Sequence, residues 1–227
     1  MKILALSDIH ERTGKLRSLN TRLKELEFKP DLVVVAGDLT YFKDIKIAIN
    51  ILREIKEILD SVVVFIPGNC DPPSLIDVKG IYDNIVNIHG ETFIFQHYTL
   101  FGIGGSGLTP FNTFIEYSEE EFKEFFKKII SIDHGDGLIV ITHQPIRNFF
   151  DKVGDVHVGS VVFLEALNKL KPMLWITGHI HEHSGWIKHG NTVIVHPGPF
   201  MRGYYGIIEI TGRDINLVNT ERVKERK

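Results

Sequence analysis

Two histidines separated by a single residue occur in the segment Gly178-His179-Ile180-His181, directly after the apolar run at residues 172–177. If the chain turns where that buried strand ends, both imidazoles can point at one small volume. Gly178 and the break in hydrophobicity indicate such a turn. Alternate residues of any strand share a face, so this pair alone is a weak indication of a functional site.

Polar residues of the same kind follow four other apolar runs. These segments are Ser7-Asp8-Ile9-His10, Gly37-Asp38, Gly68-Asn69-Cys70-Asp71 and Thr142-His143-Gln144-Pro145. Each segment alone is typical of an ordinary turn or cap. Their repetition after five apolar runs favours a common site over five unrelated turns.

The side chains in these segments form a mixed set of imidazole nitrogens and hard oxygens. Such a set suits manganese, iron, zinc and similar divalent ions better than calcium or magnesium. The candidates are too many for one ion and about right for two, which a shared carboxylate would hold roughly 3.5–4 Å apart, as in two-metal hydrolytic sites. The candidate ligands are Asp8, His10, Asp38, Asn69, His143, His179 and His181.

The first third of the chain alternates between buried strands and amphipathic helices. Strands are predicted at residues 2–6, 31–36 and 61–66, and helices at 15–28 and 44–59. This alternation predicts βαβ units with right-handed crossovers in a parallel sheet. Ligands gather at the carboxyl edge of such sheets, where the polar segments are expected to meet.

The remainder of the chain has shorter apolar segments. We expect an antiparallel meander at 85–88, 92–95 and 99–103, followed by a glycine-rich loop at 102–110. Further predicted helices are 119–130 and 160–170, and further strands are 138–141, 173–176, 185–188, 192–195, 204–210 and 215–219, the last four hairpin-like. Residues from about 221 are expected to fray. With no linker in the pattern, we expect one domain over residues 1–227.

Composition limits the partners of the chain. The formal charge of −3 gives no overall attraction to nucleic acid or anionic lipid, so a nucleic-acid partner is disfavoured. The single cysteine excludes an internal disulfide and favours a cytoplasmic location. No apolar stretch reaches the length of a membrane span. The oligomeric state stays open, a homo-oligomer included.

The order of the motifs, Asp-x-His, Gly-Asp, Gly-Asn, His and Gly-His-x-His, resembles the calcineurin-like metallophosphoesterase superfamily over residues 7–181. The resemblance implies an α/β fold, a four-layer α/β/β/α sandwich of two mixed sheets. It also implies two divalent metal ions (manganese, iron, nickel or zinc). In the implied arrangement the first ion is held by Asp8, His10 and His181, the second by Asn69, His143 and His179, and Asp38 bridges both.

Two further segments are similar to a finer subgroup. Residues 104–113 with Glu116 look like the Icc-related predicted phosphoesterases, and His196-Pro197-Gly198-Pro199 is similar to an Asn-Pro-Gly-Ser loop of small members. For the glycine-rich loop, a substrate-facing role and a flexible surface loop remain equal alternatives.

The third motif departs from the pattern of many members of the superfamily. Those members have a histidine after Gly-Asn, and the phosphatase branch has an aspartate shortly after Gly-Asp that orients it. This chain has Cys70 instead, and residues 39–42 contain no aspartate. A general acid contributes on the order of 10²–10⁴-fold, so we expect a preference for good leaving groups. Several phosphodiesterase-type relatives have a cysteine at this position, and this resemblance implies a preference for phosphodiesters.

The resemblance also suggests roles for individual residues. The nucleophile would be a metal-bridging hydroxide, so Cys70 is expected to be a small packed residue beside the ligands. Asp38, His10 and Asn69 are the candidate catalytic residues, His10 near the leaving-group side. For His196 the alternatives are an outer partner of the ligands or an exposed histidine. For Arg202 they are a phosphate contact or a surface salt bridge.

Three functional hypotheses follow. The leading one is a dinuclear metal-dependent phosphoesterase acting on a small-molecule phosphoester, with diesters or activated monoesters favoured. The second is a binding scaffold for protein partners, as in the retromer subunit of the superfamily, where the metal site is degraded; the seven candidate ligands here are intact. The third is a nuclease like the double-strand-break-repair member, which gel shifts at low salt would test.

Overall fold

The computed structural model describes residues 1–79, 82–130, 134 and 137–223. The helices in this part of the chain are α1 (Leu16–Glu25), α2 (Ile45–Leu59), α3 (Glu119–Ile130) and α4 (Val161–Leu170). The strands are β1 (Lys2–Leu6), β2 (Leu32–Ala36), β3 (Val62–Ile66), β4 (Ile85–Asn87), β5 (Thr92–Phe95), β6 (Tyr98–Ile103), β7 (Ser106–Gly107), β8 (Glu116–Tyr117), β9 (Leu138–Thr142), β10 (Lys152–Val153), β11 (Val156–His157), β12 (Leu174–Ile176), β13 (Gly185–His189), β14 (Thr192–His196), β15 (Tyr204–Thr211) and β16 (Asp214–Arg222). No helix among these is long and apolar enough to cross a membrane.

The helices begin and end where side chains satisfy the terminal backbone groups. The Asp44 carboxylate accepts hydrogen bonds from the first amides of α2, and the Ser160 hydroxyl accepts one from Phe163 in α4. Asp60 and Lys171 end these two helices in the left-handed conformation. The buried residues of α2 recur at helical spacing, which fixes one face of the helix against the core.

The first sheet contains the predicted βαβ units. Its strand order is β16-β15-β1-β2-β3-β4, with β1 to β4 parallel and β15 antiparallel to β1. The second sheet has the order β13-β14-β12-β9-β6-β5; its four central strands are parallel and its two edge strands are antiparallel to their neighbours. Both sheets are therefore mixed.

The sheets pack face to face, and each carries two helices on its outer face. Alternate residues of β1 show this arrangement: Leu4 and Leu6 pack with residues of α1 and α2, whereas Ile3 and Ala5 pack with Ile139 and Ile141 of the other sheet. Phe122 and Phe163, from α3 and α4, pack on the far side of the second sheet. The strands are apolar on both faces because both faces are buried. The expected four-layer α/β/β/α sandwich is confirmed.

The predicted antiparallel meander in the middle of the chain is wrong. β4 joins the first sheet parallel to β3, with Val63 opposite Ile85, whereas β5 and β6 form a hairpin in the second sheet. The chain thus passes from one sheet to the other between β4 and β5. Short apolar segments carry no information about their pairing partner, which depends on contacts distant in sequence.

Fraying from residue 221 is also wrong for the described part of the tail. β16 pairs with β15 as far as Arg222, opposite Tyr204. The buried Tyr205 hydroxyl donates to the Glu221 carboxylate at 2.7 Å. The tail thus forms a long edge strand despite its charged composition. Residues 224–227 lie outside the described residues.

Candidate metal centre

Five loops meet at one edge of the sandwich, each following the carboxyl end of a parallel strand. They come after β1, β2, β3, β9 and β12 and carry the seven candidate ligands. Backbone hydrogen bonds join neighbouring loops, for example from Asp8 N to Gly37 O at 3.0 Å and from Gly178 N to His143 O at 3.1 Å. The strand ends thus place residues from distant parts of the sequence side by side.

Several ligand residues have an unusual backbone conformation. Asp8, His10, Asp38 and His179 have positive φ values of 54°, 44°, 52° and 75°. Asp and His are among the non-glycine residues found most often in this left-handed region, which still costs about 1–3 kcal/mol per residue. Backbone strain of this kind clusters at functional sites. Here the left-handed residues turn the chain sharply after each strand and thereby direct the ligand side chains into the site.

The first ligand group consists of Asp8, His10 and His181, with donor atoms within 4.8 Å of one another. His181 Nε2 lies 3.2 Å from Asp8 Oδ1 and 3.3 Å from His10 Nε2. The other Asp8 oxygen, Oδ2, accepts hydrogen bonds from the Ser7 hydroxyl and the His179 amide, so Oδ1 faces the two imidazoles. Burial raises the pKa of Asp8, but His181 and His143 more than offset this and hold that pKa well below its usual value.

The second ligand group consists of Asp38, His143 and His179, again within 4.8 Å. His143 Nδ1 donates to the carbonyl oxygen of Ala36 at 2.8 Å, which leaves the Nε2 lone pair of the neutral ring facing the site. Asn69 Oδ1 lies 3.0 Å from that Nε2. In the protonated ring Nε2 donates a hydrogen bond to this oxygen, whereas in the neutral ring Nε2 and Oδ1 both direct lone pairs into the site, a donor set that fits a metal ion.

Asp38 lies between the two ligand groups. Its Oδ2 is 3.6 Å from His10 Nε2 of the first group and 3.5 Å from His143 Nε2 of the second. Its Oδ1 accepts a hydrogen bond from the Cys70 amide at 2.9 Å, which fixes the orientation of the carboxylate. One oxygen atom is thus directed at both groups.

The imidazoles respond to the two carboxylates. Burial lowers the pKa of His143, but the larger combined effect of Asp38 and Asp8 raises this pKa to about 9. Burial likewise lowers the pKa of His181, and Asp8 reverses this. The pKa of His179 is lowered to about 4, by burial and then by His143. The two carboxylates therefore give the site a negative charge, which either protons or metal ions can balance.

Cys70 is buried beside the ligands, with 7% of its surface exposed. Burial, followed by the Asp38 charge, raises the pKa of the thiol, so it stays protonated. Its sulfur accepts a long contact of 3.7 Å from Asn69 Nδ2, which turns Asn69 Oδ1 towards His143. The thiol thus orients a candidate ligand, in agreement with a packed residue rather than a nucleophile.

His196 and Arg202 both contact the Gly-His-x-His loop. His196 is fully buried; its Nε2 donates to Gly178 O at 2.9 Å and its Nδ1 accepts from Gly198 N at 3.1 Å, so the alternative of an exposed histidine is wrong. Burial lowers the pKa of His196 to about 4, so the ring is neutral. Arg202 Nη1 donates to His181 O at 3.1 Å, a contact that neither alternative anticipated.

Asp71 is a residue of the site to which the sequence pattern assigned no role. Its buried carboxylate accepts hydrogen bonds from the amides of Gly68, Leu39 and Thr40 and from the Thr40 hydroxyl, at 2.7–3.1 Å. It therefore ties the loop of Asp38 to the loop of Asn69. The only sequence feature that could have indicated this role is the position of Asp71 in the segment Gly68-Asn69-Cys70-Asp71. An aspartate in such a loop is also typical of a simple turn.

The glycine-rich loop is bound to the metal centre. The Phe114 and Ile115 amides both donate to Asn69 O, at 2.9 and 3.2 Å, and Gly105 N donates to Pro67 O at 3.0 Å. A Cβ atom at Gly104 would lie 2.3 Å from the Pro67 carbonyl oxygen, so the close approach requires glycine there. The start of the loop and the segment after it are therefore held against the loop of Asn69, whereas Leu108 between them exposes 76% of its surface.

Known proteins are similar to this chain in sequence or in fold. The uncharacterized protein MJ1162 of Methanocaldococcus jannaschii is 32% identical over 207 residues, which cover 88% of each chain. The protein TT1561 of Thermus thermophilus has a similar structure, with a TM-score of 0.74, 17% identity and 98% and 99% of the two chains covered. A dimetal phosphatase from Danio rerio has a TM-score of 0.64 at 11% identity, with 99% of both chains covered.

A sequence model of the family described as calcineurin-like phosphoesterase matches residues 1–183. This range includes all five loops and both ligand groups. The predicted resemblance is thereby confirmed, and with it a metal-dependent phosphoester chemistry. The chain belongs to the calcineurin-like phosphoesterase family.

Proposed function

We propose that this protein is a dinuclear metal-dependent phosphodiesterase. The observation that carries the proposal is the position of Asp38 Oδ2, which faces an imidazole of each ligand group at 3.5–3.6 Å. A carboxylate oxygen so placed suits a bridge between two ions. Asp8, His10 and His181 would hold one ion, and His143, His179 and Asn69 the other.

When bound, two divalent ions supply Lewis acidity that activates water and neutralises phosphoryl oxygens. The chain supplies the positioning. The Ser7 hydroxyl and the Cys70 amide each fix one oxygen of a ligand carboxylate, Asp8 and Asp38 respectively, and leave the other oxygen for an ion. The His143 ring is likewise held through Nδ1 by Ala36 O, which leaves Nε2 for an ion. Such outer contacts set the orientation of metal ligands.

The preference for diesters rests on the surroundings of Asn69. In many relatives a histidine follows this asparagine, whereas here the next residue is the buried Cys70. No side chain at this position can protonate a poor leaving group efficiently. Esters whose leaving group departs as a stable anion should therefore react best. The substrate we propose is a small-molecule phosphodiester.

The test is hydrolysis by metal-stripped protein with Mn²⁺, Ni²⁺ or Zn²⁺ added back in turn. We expect restored hydrolysis of bis-p-nitrophenyl phosphate to exceed that of p-nitrophenyl phosphate. The Asp38→Asn variant should lose at least about 10²-fold in kcat/KM, because the Lewis acidity of correctly placed ions is worth several kcal/mol. Asp155→Asn, at an exposed aspartate that belongs to neither ligand group, is the matched control.

The relative rates distinguish the possible outcomes. A monoester preference in the wild-type protein would overturn the diesterase proposal. Cys70→His should raise the hydrolysis of phenyl phosphate, which has a poor leaving group, relative to that of p-nitrophenyl phosphate if the missing acid limits the site. Binding of two ions without turnover of either ester would favour a binding scaffold instead.

A further inference from the structure

A row of exposed aromatic rings begins at the metal centre. Tyr41, Phe42 and Phe114, which we call the aromatic ridge, expose 58%, 37% and 49% of their surfaces. The ring of Tyr41 lies 5.6 Å from that of His10, Phe42 lies 4.7 Å from Tyr41, and Phe114 lies 5.0 Å from Phe42. The ridge therefore extends outward from a candidate ligand of the first ion.

The backbone of the ridge is hydrogen-bonded to the loops that carry the ligands. Phe42 N donates to Cys70 O at 3.1 Å, and Phe114 N donates to Asn69 O at 2.9 Å. Tyr41 N donates to the Glu11 carboxylate at 2.7 Å, in the loop that holds His10. The rings thus keep a fixed position relative to both ligand groups.

The segment that delivers Phe114 is itself preorganised. The Glu116 carboxylate accepts hydrogen bonds from the amides and hydroxyls of Thr109 and Thr113. Phe42 adopts a positive φ of 55°, an unusual conformation for a bulky residue. Backbone strain is found mostly at functional sites, and at Phe42 it leaves an apolar ring exposed beside the candidate ligands. This combination indicates that the ring binds a ligand.

We propose that the aromatic ridge binds a planar aromatic group esterified to the substrate phosphate. This inference rests on the proposed function and names its substrate class: phosphodiesters with a planar aromatic substituent. The three rings meet edge to face, and aromatic rings attract a further flat ring more specifically than they attract an aliphatic group of equal size. Because the Tyr41 ring lies 5.6 Å from that of His10, a substrate ring on the ridge would lie beside the first ligand group.

The test uses three esters that share one leaving group: methyl, cyclohexyl and phenyl p-nitrophenyl phosphate. We expect kcat/KM to be highest for the phenyl ester. Tyr41→Leu and Phe114→Leu should each lower the ratio of kcat/KM for the phenyl ester to that for the cyclohexyl ester by about 3- to 10-fold, the effect of one aromatic contact. Both esters carry the same p-nitrophenyl group, so any contact of that group with the ridge cancels in this ratio. Tyr82→Ala removes a ring of similar exposure (49%) at the amino end of β4 and should change none of the three rates.

Equal rates for the cyclohexyl and phenyl esters would overturn the inference, since the ridge would then be only an apolar surface. If none of the esters is hydrolysed, the proposed function fails separately. Binding of diphenyl phosphate to the metal-loaded protein by calorimetry then decides the inference. We expect Tyr41→Leu to weaken this binding by about 3- to 10-fold, with dicyclohexyl phosphate as the comparison. An unchanged affinity would contradict the inference with or without turnover.

Discussion

The two ligand groups have the same composition, one carboxylate and two imidazoles each, but their surroundings differ. In the second group, the His143 side chain is fully buried and its Nδ1 is held by Ala36 O. In the first group, 29% of the His181 side chain is exposed, and His10 Nδ1 has no hydrogen-bond partner among the described residues. Identical ligand chemistry is thus combined with unequal anchoring. We infer a tightly held ion beside an ion that exchanges more readily and faces the aromatic ridge.

Another buried histidine, His89, sharpens the comparison because burial outweighs the effect of its carboxylate neighbours, Asp77 and Glu91. Burial, followed by Lys128, lowers the pKa of His89 from 6.5 to about 4, whereas His143 shifts the other way. Between these two pH values the unfolded chain binds a proton that native His89 does not. As the pH falls from 6.5 to 4, the free energy of unfolding should decrease by up to about 3 kcal/mol from this residue.

Urea unfolding of metal-free protein across this pH range measures the effect. His89→Gln, which keeps an acceptor for Gly104 N, should have the shallower pH dependence. His189→Gln, at an exposed histidine, should match the wild-type curve. Parallel curves for wild type and His89→Gln would show that His89 does not contribute.

Asp71 tests whether the two loops that supply Asp38 and Asn69 are held by one carboxylate. In Asp71→Asn, an amide nitrogen replaces one of the acceptor oxygens and meets backbone N–H donors in a buried site. We expect the free energy of unfolding to fall by about 2 kcal/mol, within the range for a buried unsatisfied polar group. Asp155→Asn serves as the exposed control. A change below about 0.5 kcal/mol, the usual size at surface sites, would contradict the role given to Asp71.

The comparison itself is tested by metal titration of the stripped protein. Two dissociation constants should differ by about tenfold, the lower end of the effect of outer hydrogen bonds on metal affinity. His143→Ala should remove the tighter phase and His10→Ala the weaker one in isothermal titration calorimetry. Equal constants, or loss of the tighter phase in His10→Ala, would reverse the proposed order of the two groups.

Most of the fold could be predicted from the sequence because its elements have strong local signals. Both helices of the first sheet and the strands that end at Asp8, Asp38 and Asn69 follow from apolar periodicity and turn residues. The pairing of β4 and the length of β16 could not, because pairing depends on partners elsewhere in the chain. The same limit explains why the periodicity placed β4 in a meander with β5 and β6.

The site was only partly predictable for a related reason. The seven candidate ligands stand out because their residue types and their positions at strand ends repeat. Asp71 acts through hydrogen bonds to backbone amides, and no residue pattern shows these bonds. In the sequence, Tyr41 and Phe42 stand out only because the segment 39–42 lacks the aspartate found in the phosphatase branch. Their relation to Phe114 exists only in three dimensions.

The left-handed backbone at Asp8, His10, Asp38 and His179 makes metal supply part of the folding equilibrium. These conformations disfavour the native state by about 1–3 kcal/mol each, and an ion that binds only the native state restores about 4 kcal/mol at a concentration 1,000-fold above its Kd. Newly made chains would therefore complete their folding most readily where metal is abundant. Under metal starvation the same chains should become more susceptible to proteolysis at the three loops that carry these residues, so that cellular abundance of the protein would follow metal availability.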